Sequence, residues 1–275
     1  MLSNKITYPL IFGCVFFGIY HTLTIQPKAN HKVLPQNRTL SLVWSDEFDY
    51  HGPPDTSKWD YETGGHGWGN NELQYYTNDT ANAFVRNGSL HITARKQVYE
   101  NRNYTSARLA TKGKAHWQYG RIEVRAKLPA GRGLWPAIWM LGQNRKEAGW
   151  PACGEIDIME HVGFDKDSIF GTIHTEAFNH IKRTQKGKRV FIEKPYDEFH
   201  IYAIEWTARK LDFLLDNKVY YTVPNEYQAK AEWPFDQPFY LIMNIAVGGN
   251  LGGKMGVDET ISQATMEVDY VRVFQ

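Results

Sequence analysis

The segment GEIDIMEHVG, Gly154 to Gly163, sets three carboxylates among aliphatic side chains between two glycines. Read as a β-strand, its side chains alternate between faces, so Glu155 and Asp157 share one face while Ile156 and Ile158 pack into the other. Glu160 breaks that parity. A β-bulge with Met159 as the inserted residue restores it, because a bulge adds one residue and re-aims the side chains after it, and bulges are frequent beside active sites. Read as a helix, the same residues place Glu155 and Asp157 about 200° apart, and the glycines bracket a run too short for a helix. The strand reading therefore leads, with Glu155, Asp157 and Glu160 forming one acidic row. Three like charges in a row do not all ionise cheaply, so one carboxyl is expected to hold its proton while another stays anionic. That is an acid paired with a nucleophile or base. Two plainer readings compete: the solvated face of an amphipathic strand, and metal ligation with the nearby His161 and His174. No H-x-x-x-H or C-x-x-C spacing supports a zinc site.

The rest of the chain reads as short strands. In Arg121 to Leu128, Ile122, Val124, Ala126 and Leu128 alternate with Arg121, Glu123, Arg125 and Lys127, and Leu90, Ile92 and Ala94 repeat the pattern. Leu211 to Val223 carries Asp216-Asn217 at its middle, which suggests a hairpin turn. Phe239 to Val247 is nearly all apolar and suits a central strand. Without a long amphipathic helix or internal repeat, these signals predict an all-β fold, a sandwich or jelly roll of two antiparallel sheets whose concave face forms an open cleft floored by the acidic row.

With 275 residues the chain can hold one such domain plus a short extension. Its net charge of +1, from 31 basic and 30 acidic residues, lacks the basic field that nucleic acid demands. Aromatics make up 14% of the residues, much of it suited to core and cross-strand packing. From Ile6 to Ile25 the chain is apolar after Lys5, so residues 1–25 read as a signal peptide or membrane anchor and 26–39, with Pro27 and Pro35, as a linker. The domain is thus 40–275, exported and either secreted or membrane-anchored. Cys14 lies in the leader and is not expected to pair with Cys153, a small buried hydrophobe beside the acidic strand. Sequons at Asn37, Asn78, Asn87 and Asn103 matter only in a host that glycosylates exported proteins.

An ordered set of segments resembles glycoside hydrolase family 16 in its bulged, laminarinase-like form. The matching stretches are WSDEF (Trp44 to Phe48), GWGNNELQYYT (Gly67 to Thr77), SARLATKGK (Ser106 to Lys114), GRIEVRAKLP (Gly120 to Pro129), LWPAIWMLG (Leu134 to Gly142), GEIDIME, IHTEAFNH (Ile173 to His180), NIAVGGNLGG (Asn244 to Gly253) and VDYVRVF (Val268 to Phe274). The resemblance implies a jelly-roll scaffold and a retaining endo-hydrolase of internal β-1,3 bonds in laminarin-like β-glucans, expected to act as a monomer and to need no cofactor for catalysis. Spacing leaves open which glutamate attacks. The resemblance implies that Glu155 is the nucleophile and Glu160 the acid/base, with Asp157 tuning both. The Cα atoms of the two glutamates should lie on the order of 13 Å apart, and side chains leaning together can close this to the roughly 5 to 5.5 Å carboxyl separation of a retaining enzyme.

By the same resemblance Trp135 and Trp139 are sugar-stacking walls, Asn71 and Arg108 contact glucosyl hydroxyls, and His174 faces the cleft. Glu47, Gly88 and Asp269 match a structural calcium site of main-chain oxygens and one carboxylate, remote from the cleft. Mixed-linkage glucanases, galactanases and transglycosylases of the same family remain alternatives, as does a non-catalytic β-glucan recognition protein. The three retained acids speak against the last, since a binding module has no use for mutually repelling carboxylates.

Overall fold

The computed structural model describes residues 40–226 and 229–275, which fold into two packed sheets. The leader, the linker, Cys14 and the Asn37 sequon lie outside the described residues. The sheet that carries the acids runs, in spatial order, Lys186–Phe191, Ser168–His174, Glu155–Glu160, Leu134–Gly142, Phe239–Val247, Arg108–Ala110 and Asp60–Tyr61. The opposing sheet runs Lys218–Pro224, Lys210–Leu215, His200–Trp206, Gly120–Lys127, Gln263–Phe274, Ser89–Tyr99, Arg102–Ser106 and Gln74–Tyr76. Leu42–Asp46 pairs with Gln263–Phe274, and Ala83–Arg86 with Ser89–Tyr99. This is the expected jelly-roll sandwich, with one exception to its antiparallel pairing: Gln74–Tyr76 runs parallel to Arg102–Ser106. Arg145–Ala148 is the one helix assigned among the described residues, and no described helix is long and apolar enough to cross a membrane.

The alternations mark the inward faces. Ile122, Val124, Ala126 and Leu128 are all buried in the main core between the sheets, together with Leu90, Ile92 and Ala94. Asp216 and Asn217 both adopt left-handed backbone (φ 49° and 64°), as a tight two-residue hairpin requires, and join the two strands read within Leu211 to Val223. Every residue of Phe239–Val247 is buried because both of its faces are covered. Phe239, Leu241, Met243, Ile245 and Val247 enter the main core. Tyr240 and Ile242 point the other way, into a small second cluster with Ala110, Leu141 and Cys153, flanked by Trp139 and Trp150. Cys153 is free and fully buried there, and burial pushes its thiol up to about 11, so it is an inert hydrophobe as expected.

Candidate active site

The acidic strand begins where only glycine fits. Gly154 has φ 78°, and a Cβ there would come within 2.8 Å of Pro234 and 2.9 Å of Phe239. From Glu155 the strand pairs in regular register with both neighbours as far as Asp157, and then slips. Against Leu134–Gly142, Asp157 faces Trp139 but Met159 faces Ile138; against Ser168–His174, Asp157 faces Thr172 but Glu160 faces Phe170. One extra residue is inserted at the Ile158-Met159 step, so the bulge read from the broken parity is present. Ile156, Ile158 and Met159 all lie in the main core at 0 to 1% exposure, while Glu155 and Glu160 are half-buried on the opposite face with Asp157 between them.

Each flanking glutamate is held by a tryptophan. Trp135 Nε1 donates to Glu160 Oε1 at 3.0 Å, and Trp150 Nε1 donates to Glu155 Oε2 at 3.0 Å. Trp135 is itself clamped by the glycine-rich loop after Val247, where a Cβ on Gly252 would come within 2.7 Å of the Trp135 Cβ. His174 pairs across the strands with Glu155, placing Nε2 3.4 Å from Asp157 Oδ2 and 3.7 Å from Glu155 Oε1. His161, the other histidine read as a possible ligand, is turned away: its ring nitrogens meet the Ser168 carbonyl and the Tyr196 hydroxyl.

Burial and mutual repulsion shape the charge of this row. Burial, then the Asp157 charge, pushes Glu155 up to about 8, against the pull of His174 and the Trp150 hydrogen bond. Asp157 lies well above the ordinary carboxyl range, from burial and then Glu160, and burial also raises Glu160. All three carboxyls are thus shifted upward together, so the row holds protons at higher pH than free carboxyls do. A carboxyl raised in the folded state contributes stability that is present below its unfolded pKa and lost as pH rises through its folded value. Thermal melts of Glu155→Gln should thus gain on the parent protein between about pH 5 and about pH 9, by an amount on the order of a few kcal/mol. A stability difference that stays constant across that range would contradict the raised pKa.

The remaining candidates extend the site along the sheet. Trp139 faces the same side as Asp157 and donates from Nε1 to Asn244 Oδ1 at 2.8 Å. Arg108 is buried between the rings of Trp68 and Trp139, 4.6 and 4.7 Å from their centroids, with Nε donating to Glu62 at 2.6 Å. Its guanidinium stacks and fixes Trp139 as much as it faces any ligand. Asn71 sits exposed at one end of the site with φ 55°, and its amide donates to Asn250 Oδ1 at 2.9 Å, tying two loops beside an open groove of about 680 Å³. Trp150 and Asn244 are additions that the sequence pattern does not single out. The lone polar residue inside the apolar run Phe239–Val247 is the available signal for Asn244; Trp150 has none beyond its nearness to Gly154.

The proposed calcium residues converge elsewhere, on the opposing sheet. Asp46 pairs with Val271 and Leu90 with Val268, which brings Glu47, the Gly88 turn and Asp269 together at one end, with Asp269 at a register slip. The Glu47 carboxylate is taken by Arg272 in a two-pronged pair at 3.0 and 2.8 Å, and Arg125 binds Asp269 Oδ2. An ion there would rely on main-chain oxygens and the second Asp269 oxygen.

Residues 70–272 match the family described as glycosyl hydrolases family 16. The chain belongs to that family. It is 57% identical over 242 residues to a beta-glucanase of Rhodothermus marinus, covering 85% of each chain, and 40% identical over 251 residues to a glucan endo-1,3-beta-glucosidase of Cryptopygus antarcticus, covering 84% of this chain and 90% of the relative. The crystal structure of the laminarinase from Rhodothermus marinus superposes with a TM-score of 0.84 at 55% identity, covering 86% of this chain and 98% of that one. As a family 16 member the chain is a glycoside hydrolase with the retaining mechanism general to the family, which needs no catalytic cofactor.

Proposed function

We propose that this chain is an endo-acting β-1,3-glucanase that cleaves internal bonds of laminarin-like glucans, with Glu155 as nucleophile and Glu160 as acid/base. The observation that carries the reading is the bulge-restored row, in which two glutamates flank Asp157 on one face and each is held by an indole N–H. In the first step a Glu155 oxygen attacks the anomeric carbon as its bond to the leaving oxygen breaks and Glu160 gives that oxygen a proton. In the second, Glu160 takes a proton from water, whose oxygen displaces Glu155. Asp157, whose carboxyl is raised by burial and then by Glu160, hydrogen-bonds Glu155 and raises its pKa in turn. Trp135 and Trp139 offer faces for glucosyl rings, with Arg108 and Asn71 supplying polar contacts at their edges.

The β-1,3 linkage rests on likeness to the laminarinases above. The full-length protein should release a ladder of oligosaccharides from laminarin and little from agarose, carrageenan or xylan. Preferential cleavage of agarose would replace the linkage assignment, and laminarin binding with no new reducing ends would favour a recognition protein. We further read residues 1–25 as an export signal or anchor and 26–39 as a linker, on the apolar run Ile6 to Ile25, so that the domain works outside the cytoplasm. Calcium on the main-chain oxygens of Glu47, Gly88 and Asp269 would be structural, supported by the convergence of those three positions.

A further inference from the structure

The sequence holds no zinc motif by spacing, yet cross-strand pairing assembles ligands that spacing cannot show. One donor atom each from Glu155, Asp157 and His174 lies within 4.8 Å of the other two, and His174 Nε2 faces both Glu155 Oε1 and Asp157 Oδ2. We infer that these three atoms form a capture site for a zinc-class divalent ion, which silences the enzyme by occupying the carboxylate assigned as nucleophile. The inference rests on that assignment.

The geometry fits a small borderline-soft ion. Zinc–nitrogen and zinc–oxygen bonds near 2.0 to 2.2 Å separate neighbouring ligands of a tetrahedron by roughly 3.3 to 3.5 Å. His174 Nε2 stands 3.4 Å from Asp157 Oδ2 and 3.7 Å from Glu155 Oε1. Asp157 is 4% exposed, and its Oδ2 is buried without a hydrogen-bond partner, a lone pair removed from water and aimed at the imidazole. The Trp150 N–H takes the other oxygen of Glu155, which turns Oε1 toward His174. A mixed nitrogen and carboxylate set with only three protein ligands suits zinc or copper; calcium and magnesium demand more oxygens. Glu155 keeps 15% of its side-chain surface, so water can fill the fourth position from the cleft side. Hydrolysis as derived above has no step for His174, which leaves its ring nitrogen free for a ligand.

The test titrates zinc chloride into the full-length chain, freed of any histidine tag and held at constant calcium, by calorimetry. Cobalt(II) absorption reports the coordination geometry, and reducing-end release from laminarin reports activity. We expect one tight zinc per chain, a chelator-reversible inhibition competitive with laminarin, and affinity at least about tenfold weaker in His174→Gln and in Asp157→Asn. Near-UV circular dichroism confirms that the two variants are folded, and the second serves if the first is not. His200→Gln removes a His–Asp pair on the opposite sheet, away from the acidic row, and should leave zinc affinity and inhibition unchanged. Affinity unaltered by both His174→Gln and Asp157→Asn, or lost only in His200→Gln, would overturn the site. Tight zinc that depends on His174 but does not inhibit would overturn the silencing role and the assignment of Glu155 as nucleophile with it. A protein that binds zinc as expected yet never cleaves laminarin would leave the site standing and remove the proposed activity.

Discussion

Glu155→Ala should lose hydrolysis of laminarin by a factor on the order of 10⁴ or more, and azide should rescue it with inverted stereochemistry. Removing the nucleophile opens space on the α face, from which azide can attack an activated β-glycosyl fluoride; one inversion yields the α-glycosyl azide. Glu160→Ala keeps the nucleophile, so substrates with good leaving groups still form the covalent intermediate. Azide then intercepts it by a second inversion, and the product is the β-glycosyl azide. On laminarin itself Glu160→Ala should fall by roughly 10² to 10⁴, because a poor leaving group needs its proton. Anomeric assignment by NMR decides the roles, and the β-azide from Glu155→Ala would reverse them. Loss of fold will not mimic the result, since removing one carboxylate from a buried, self-repelling row relieves repulsion.

The second large effect concerns the bulge. Ile158 is 1% exposed in the main core, beside Ile156 and Met159. Ile158→Asp buries an unpartnered carboxyl and should cost at least about 3 kcal/mol. For a domain of this size that lowers the melting temperature by roughly 10 °C. A change of only a degree or two would mean that Ile158 can swing out to solvent, and that the row is not locked by its neighbours.

Legibility in the sequence depends on how local each cause is. The parity break at Glu160 is enough to infer an inserted residue, because strand alternation is a property of the strand alone. The alternation of Arg121 to Leu128 is equally readable, since one face is buried and the other is wet. Phe239–Val247 reads as central, but the second cluster that covers its far face does not, because Cys153 and Ala110 reach it from distant sequence. The same holds for the site. The acids stand five residues apart in one strand and announce themselves. His174 meets Glu155 only through strand pairing, and Trp150 reaches it from a loop, so neither contact leaves a spacing. The parallel pairing of Gln74–Tyr76 with Arg102–Ser106 is hidden for the same reason.

The placement of Gln263–Phe274 has a consequence for the order of events during synthesis. This strand is the last of its sheet along the sequence, yet it lies in the interior, between Gly120–Lys127 and Ser89–Tyr99, and it also receives Leu42–Asp46. Until it leaves the ribosome, the sheet backing the site lacks the strand that joins Gly120–Lys127, Ser89–Tyr99 and Leu42–Asp46. Both glutamates are made long before that moment, and they remain without a supporting fold while they wait. A nascent chain holding every catalytic group is therefore not yet an enzyme, because translation supplies the chemistry first and the scaffold that organises it last.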